Sequence, residues 1–258
     1  PLSKTFSNKR NMIYYNMILW KMQDSGKRIS ALCLFFVFIL CIIKTSCNCI
    51  KETLMSLLFL HGLGQTSAVW KKTLAFLPDT AVVCPELSDF LGNSTASYET
   101  LYRAFSHFCD AQEKPISFVG LSLGAVLALN YAIEHPDDTG AMLLAAPQYE
   151  MPKALLKFQN LIFRFLPNKA FADTGLSKRD FMTLTNSMAE LNFTESLHKI
   201  RCPVTVICGE HDRANKKAAV RLAELLSNAE FVIVAEAGHE INLDAPEKLS
   251  AIVQTHLL

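Results

Sequence analysis

Four short stretches of this 258-residue chain carry residue types that could do chemistry together. Gly120-Leu-Ser-Leu-Gly124 lies between a β-type apolar run, Ile116–Val119, and a helix-type run, Ala125–Ile133. In that context G-x-S-x-G puts the serine on a tight strand-to-helix turn with its hydroxyl exposed. The flanking glycines keep side chains out of the neighbouring strand and helix. A serine hydroxyl attacks a carbonyl carbon only when a base takes its proton and an acid orients that base. Gly209-Glu-His-Asp212 and Gly238-His239, each after a strand-like run, supply those types: Asp212 as the acid and His239 as the base. A tetrahedral intermediate also needs amide donors for its oxyanion. His61-Gly-Leu-Gly64, again after an apolar run, offers the N–H of Leu63, and the turn itself offers the N–H of Leu123. These types permit nucleophilic acyl transfer at Ser122.

The elements that must position these residues follow from periodicity. Leu54–Leu60 is continuously apolar, as expected of a strand buried on both faces of a parallel sheet. Thr66 or Ser67 can cap a helix running from Trp70 to Leu77, which Pro78-Asp79 ends. A strand is expected at 80–84, then a Ser/Gly/Asn-rich loop at 85–97 and a helix at 98–111. The turn strand and its helix come next, and His135-Pro136 stops that helix. Further strands are expected at 141–146, 203–208 and 230–235, with helices at 215–226 and 245–257. This alternation predicts an α/β fold with a doubly wound, mostly parallel sheet of about six strands. Asp212 and His239 then fall at carboxyl ends of strands, where such sheets place their sites.

One connection is anomalous, because more than fifty residues separate Ala146 from Pro203, where about 2–6 beyond a helix would be usual. We expect a small helical insertion over 147–200. Within it Leu155, Phe158, Ile162 and Phe165 recur at helical spacing. In one reading this stripe roofs the pocket over Ser122, so that Phe158, Ile162 and Phe165 contact substrate. In the other it only packs on the body of the domain.

Composition narrows the classes. Half of the residues are apolar, enough for a substantial core. A net charge of +1 with interspersed signs gives no reason to expect a nucleic-acid or strongly acidic partner. The eight cysteines show no C-x-x-C spacing, and Gly62 and Gly64 lack the G-x-G-x-x-G pattern. No metal and no cofactor are expected. Residues 1–53 read as an extension ahead of a domain at 54–258. Either they are sequence upstream of a start at Met55, leaving a cytoplasmic domain, or residues 27–49 are a signal or anchor. In the second case the chain is secreted or membrane-anchored, and the apolar run 31–43 is its membrane contact. Only then would the glycosylation patterns at Asn93 and Asn192 matter. Glu210 and Asp244 are rival acids near Asp212 and His239. His61 reads as structural support for the loop it opens.

From about residue 54 to 258 the chain resembles the α/β-hydrolase superfamily, specifically its small, lidded serine-esterase-like members. The motifs are HGLG (61–64), GLSLG (120–124), GEHD (209–212) and GHEINLDAPE (238–247), in order and at strand ends. The resemblance implies Ser122 as nucleophile, His239 as general base, Asp212 as its orienter and the insertion as a lid. It implies hydrolysis of a carboxylic ester or related small acyl compound through an acyl-enzyme. The same residues would serve an acyltransferase, thioesterase, lactonase or C–C hydrolase. A reading from another class is a non-catalytic, membrane-tethered binding protein on this fold, which would normally have lost one of the three residues. The chain departs from the superfamily in two places. No counterpart of two usual antiparallel strands precedes Leu54. The loop after Cys84 reads Pro85-Glu-Leu-Ser-Asp-Phe-Leu-Gly-Asn-Ser94 instead of D-x-x-G-x-G-x-S.

Overall fold

Strands that are apolar along most of their length must be covered on both sides, and the central strands of this sheet are. The computed structural model describes residues 56–78, 80–92 and 94–258; the readings placed on residues 1–55 and on Asn93 lie outside the described residues. The strands are β1 (Ser56–Leu60), β2 (Val82–Val83), β3 (Ile116–Leu121), β4 (Thr139–Ala145), β5 (Val204–Gly209) and β6 (Ala229–Val234). They form one six-stranded sheet in the order β2-β1-β3-β4-β5-β6. Every neighbouring pair is parallel.

Alternation with period two divides each central strand between two cores. Leu58, Leu60, Phe118, Leu144 and Val206 meet the helices α2 (Tyr98–Asp110), α3 (Leu123–Glu134) and α6 (Lys216–Leu225) on one face. Leu57, Phe59, Val119, Leu121, Leu143 and Ile207 face Trp70 and helix α8 (Pro246–Leu257) on the other. The short helices α1 (Lys71–Ala75) and α7 (Ile241–Asp244) complete that second layer. α2 begins where Ser97 Oγ accepts the Thr100 N–H at 3.1 Å, and its stripe Leu101, Phe105, Cys109 is buried. The cap expected from Thr66 or Ser67 is not made by either hydroxyl; instead the Ser67 N–H donates to Glu86 Oε2 at 2.8 Å.

After β4 the chain enters the helical insertion, with α4 (Lys153–Phe165), a 3-10 segment (Asn168–Thr174) and α5 (Lys178–Ser187). An antiparallel bridge between Glu150 and Asn192 closes its neck. The neck is further tied by Met151 N–H to Leu191 O at 3.0 Å and Phe193 N–H to Tyr149 O at 2.8 Å. Inside it Phe163, Phe171 and Phe181 meet edge to face, with ring centroids 5.9, 5.1 and 5.2 Å apart. Each such pair adds about 0.5–1.5 kcal/mol beyond its buried area.

The expectation for the α4 stripe is corrected here. The helix turns Leu156, Asn160 and Phe163 inward, spaced four and three residues apart. Ile162 and Phe165 therefore point outward, 45% and 82% exposed, and neither borders the space lined by Leu63, Leu123, Leu176 and Leu184. The physical reason is that α4 has more apolar residues than one face can hold, and the aromatic cluster around Phe163 sets its rotation. The side chains of Leu155 and Phe158 lie outside the described residues.

Helix α3 packs closely on the sheet at Gly124, where an added Cβ would stand 2.1 Å from the Leu60 carbonyl oxygen and 2.5 Å from its carbon. Backbone cannot give way there, so Gly124→Ala should destabilise the fold by about 3 kcal/mol or more. Gly92 has nothing within 4 Å of its added Cβ but a φ of +49°, and its alanine variant should cost only about 1–2 kcal/mol. Urea unfolding of the two variants checks the contrast, and equal losses would contradict it.

Candidate active site

Ser122 occupies the turn between β3 and α3, and both neighbours hold its backbone. Its N–H donates to Ala145 O at 2.9 Å, and its carbonyl accepts the Val126 N–H at 3.0 Å as α3 begins. Between them the residue sits at φ 52°, ψ −109°, a region that costs a non-glycine residue about 1–3 kcal/mol. The strain persists because the surroundings leave no alternative. Gly124 lies against Leu60, and a Cβ on Gly120 would stand 2.7 Å from the Ala125 nitrogen. Ser122 is half-buried, and its hydroxyl makes no side-chain hydrogen bond among the described residues. A nucleophile–base contact is often long before substrate binds.

The carboxyl end of β5 and the loop after β6 are brought together by Gly209, whose added Cβ would lie 2.0 Å from Gly238 O. His211 N–H donates to Ala237 O at 2.9 Å across the same seam. Asp212 is thereby buried, 5% exposed, and its Oδ2 accepts from His239 Nδ1 at 2.8 Å. That bond assigns the proton to Nδ1 and leaves Nε2 free as a base. The rival acids are occupied elsewhere: Glu210 Oε2 accepts the Glu236 N–H at 2.9 Å, and Asp244 Oδ2 the Gly238 N–H at 2.8 Å. Both serve to shape the histidine loop.

Asn215 completes the acid's surroundings. Its Nδ2 donates to Asp212 Oδ1 and Oδ2, both at 2.9 Å, and its N–H donates to Oδ1 at 3.2 Å. Asn215 Oδ1 in turn accepts from Gln148 Nε2 at 2.7 Å, which fixes the orientation of the amide. Asn215 Nδ2 also lies 3.0 Å from His239 Nδ1, but both groups are donors and share the carboxylate. Burial by itself would raise the Asp212 carboxyl; the bonds from His239 and Asn215 outweigh it and hold the group below the ordinary carboxylate range.

The loop His61–Gly64 is tied down on two sides. Buried His61 shares Nδ1 with the Gly62 carbonyl at 2.9 Å, and its Nε2 accepts the Leu87 N–H at 3.1 Å, with Glu86 Oε1 3.0 Å away. Gln65 Oε1 accepts the Gly62 N–H at 3.1 Å and the Asn242 Nδ2 at 3.2 Å, while its Nε2 donates to Glu240 Oε1 at 2.8 Å. The buried pair Gln65 and Asn242 thus joins this loop to the one carrying His239. Gly62 also reaches the turn, since its added Cβ would lie 3.7 Å from the Ser122 Cβ. Among the described residues no protein acceptor takes the Leu63 N–H, and the Leu123 N–H, first in α3, has no intrahelical partner.

Leu63 and Leu123 also border a narrow space of about 10 Å³, room for about one water molecule. Leu87, Leu91 and Leu101 line it from the body, and Leu176 and Leu184 from the insertion. A larger groove of about 550 Å³ lies between α4 and α5 and shares none of these residues. No cluster of His, Cys, Asp or Glu suited to a metal occurs among the described residues. Nor is any helix there long and apolar enough to cross a membrane. Burial raises the thiols of Cys84, Cys202 and Cys208 to about 11 and that of Cys109 to about 12, so they stay protonated and unreactive.

The sequence reading missed Gln65, Glu86, Gln148, Asn215, Asn242 and the leucine lining. Buried amides have no periodic signature, and their partners lie up to 177 residues away.

Comparison with known proteins bears on the family and the fold. Residues 57–252 match the profile described as the Alpha/beta hydrolase family. The monoacylglycerol lipase ABHD6 of Mus musculus is 21% identical over 248 residues, covering 77% of this chain and 74% of that protein. The enol-lactonase from Burkholderia xenovorans LB400 superposes with a TM-score of 0.68 at 16% identity, over 78% of this chain and 90% of that one. A thermophilic esterase from Thermogutta terrifontis gives a TM-score of 0.61 at 15% identity, over 78% and 88% of the two chains. At these identities the superpositions establish the fold.

Two outcomes are expected from the site. Alanine at 122 keeps the strained backbone, whereas glycine does not, so Ser122→Gly should be more stable than Ser122→Ala by about 1 kcal/mol in urea unfolding. Equal stabilities would show the turn to be unstrained. The folded Asp212 titrates below its unfolded value, so its stabilisation is present above about pH 4 and is lost as pH falls through the folded value. Asp212→Asn should therefore flatten the fall of the urea midpoint below about pH 4 and leave its shape near neutrality unchanged.

Proposed function

The chain belongs to the alpha/beta hydrolase family, and from that premise we propose that it is a serine hydrolase cleaving carboxylic esters of apolar acyl groups. The single observation that carries the reading is the 2.8 Å bond from His239 to the buried Asp212, set at strand ends of the sheet that also holds Ser122 on its strained turn. His239 Nε2 takes the Ser122 proton as Oγ attacks the ester carbonyl carbon. The N–H groups of Leu63 and Leu123 receive the charge on the former carbonyl oxygen. The intermediate collapses, His239 returns the proton to the leaving alcohol, and an acyl-enzyme remains on Ser122. Water, deprotonated by the same histidine, then releases the acid and restores the serine. Asp212 stays ionised throughout and stabilises the imidazolium.

The leucine-lined space beside Leu63 and Leu123 supports an apolar acyl group. Leu176 and Leu184 close it, so the helical insertion acts as a lid that an entering chain must displace. The curated likeness to a monoacylglycerol lipase makes monoacylglycerols the first natural esters to try.

A fluorophosphonate probe should label the wild-type chain and leave Ser122→Ala unlabelled. Ser122→Ala and His239→Ala should lower kcat by about 10⁵–10⁶ and Asp212→Asn by roughly 10⁴. Labelling or full turnover in Ser122→Ala would overturn the assignment. On p-nitrophenyl esters, kcat/KM should rise about fourfold per added methylene until the space is full. Leu176→Ala should extend that rise to longer chains, while Ile162→Ala, on the outer face, should leave it unchanged. An unaltered profile in Leu176→Ala would place acyl selectivity elsewhere.

A further inference from the structure

The outer side of the insertion carries two features that this chemistry does not use. The end of α4 exposes Leu161, Ile162, Phe165 and Leu166 by 49%, 45%, 82% and 37%. Among the described residues these are half of the large apolar side chains that stand out into solvent, gathered within six positions. Their spacing puts them on one side of the helix, so they form a patch and not a scatter of single residues.

Beside the patch runs the groove of about 550 Å³, lined by Arg164, Lys178 and Arg179 together with Asn168 and Asn186. Lys178 Nζ donates to the carbonyls of Arg164 at 2.8 Å and Leu166 at 2.6 Å, which holds its charge at the end of α4. Among the described residues no carboxylate pairs with Arg164, Lys178 or Arg179, whereas Lys153 at the start of the same helix pairs with Glu190 at 2.5 Å. Residues 153–190 hold six basic and three acidic side chains, while the whole chain is only +1.

We propose that this end of the insertion docks on an anionic lipid surface. The four apolar side chains enter the acyl layer, and Arg164, Lys178 and Arg179 meet the headgroup phosphates and carboxylates at its edge. Four side chains on a protruding helix end cover far less than the roughly 800 Å² that each partner buries in a stable protein interface. A bilayer asks for no matching shape, only apolar groups backed by unpaired cations. α5 links the two sides of the insertion, since it presents Lys178 and Arg179 to the groove and Leu184 to the closed space near Ser122.

The test places a reporter in the patch of the full chain, Phe165→Trp, and titrates it with vesicles of phosphatidylcholine, with or without three-tenths phosphatidylserine. The emission from position 165 should shift to the blue and be quenched by brominated acyl chains. Each cation near the surface is worth about fivefold, so half-saturation should need on the order of a hundredfold less lipid when the vesicles are anionic. Adding Arg164→Gln, Lys178→Gln and Arg179→Gln should remove most of that preference with the far-UV circular dichroism of the folded chain unchanged. A signal that does not move with either vesicle overturns the proposal, as does an equal response to both. So does a lipid-free blue shift that grows with protein concentration, which would make a second copy the occupant. Vesicle binding of the chain without a change at position 165 would assign membrane contact to another segment and overturn it as well.

Discussion

The approach of α3 to the end of β1 leaves no room for a single carbon at Gly124, and the geometry of the site follows from that contact. With the helix start pressed onto the Leu60 carbonyl, the chain leaving β3 has to reverse within one residue. Ser122 absorbs the reversal in a backbone conformation it would not choose. The same contact sets the first amide of α3 beside the loop that leaves β1, so Leu63 and Leu123 border one space. Stability is spent here on position: a relaxed turn would bury the hydroxyl or point it along the sheet.

Around Ser122, Asp212 and His239 the protein prefers neutral amides to further charges. Asn215 and Gln148 set the Asp212 carboxylate, and Gln65 with Asn242 ties the loop of Leu63 to that of His239. An amide offers a donor and an acceptor with fixed directions and does not titrate, so it orients a buried carboxylate without competing for its proton. A second carboxylate or a lysine in those places would move the acid's titration and blur the choice of histidine tautomer. Gln148 lies at the start of the helical insertion, so the acid's support and the covering element share one stretch of chain.

The insertion has two working faces because its first helix is apolar most of the way round. Phe163 is drawn inward by Phe171 and Phe181, which fixes the rotation of α4 and leaves Ile162 and Phe165 outside. The part that comes down over the space beside Leu123 is the later segment, Leu176 and Leu184.

Strand and helix order and the parallel sheet were legible from residues alone, because each rests on local information, and the same local signals made Ser122, Asp212 and His239 the candidates. Continuous apolar runs need cover on both faces, glycines mark close approaches, and polar residues that end such runs fall on one edge of a parallel sheet. Where the reading failed, the deciding contact was distant. Spacing on α4 is compatible with more than one rotation, and only the aromatic partners Phe171 and Phe181 choose between them. The cap on the segment at Ser67 comes from Glu86, across the sheet edge, and no pattern near Ser67 announces it. That Asp212, and not Glu210 or Asp244, holds the histidine depends on where the loops after β5 and β6 fold against each other at Gly209. The residue types capable of the chemistry were therefore written into short stretches of chain. Which carboxylate meets the histidine and which helix face is buried were decided by packing, since orientation is a property of contacts made across the whole fold.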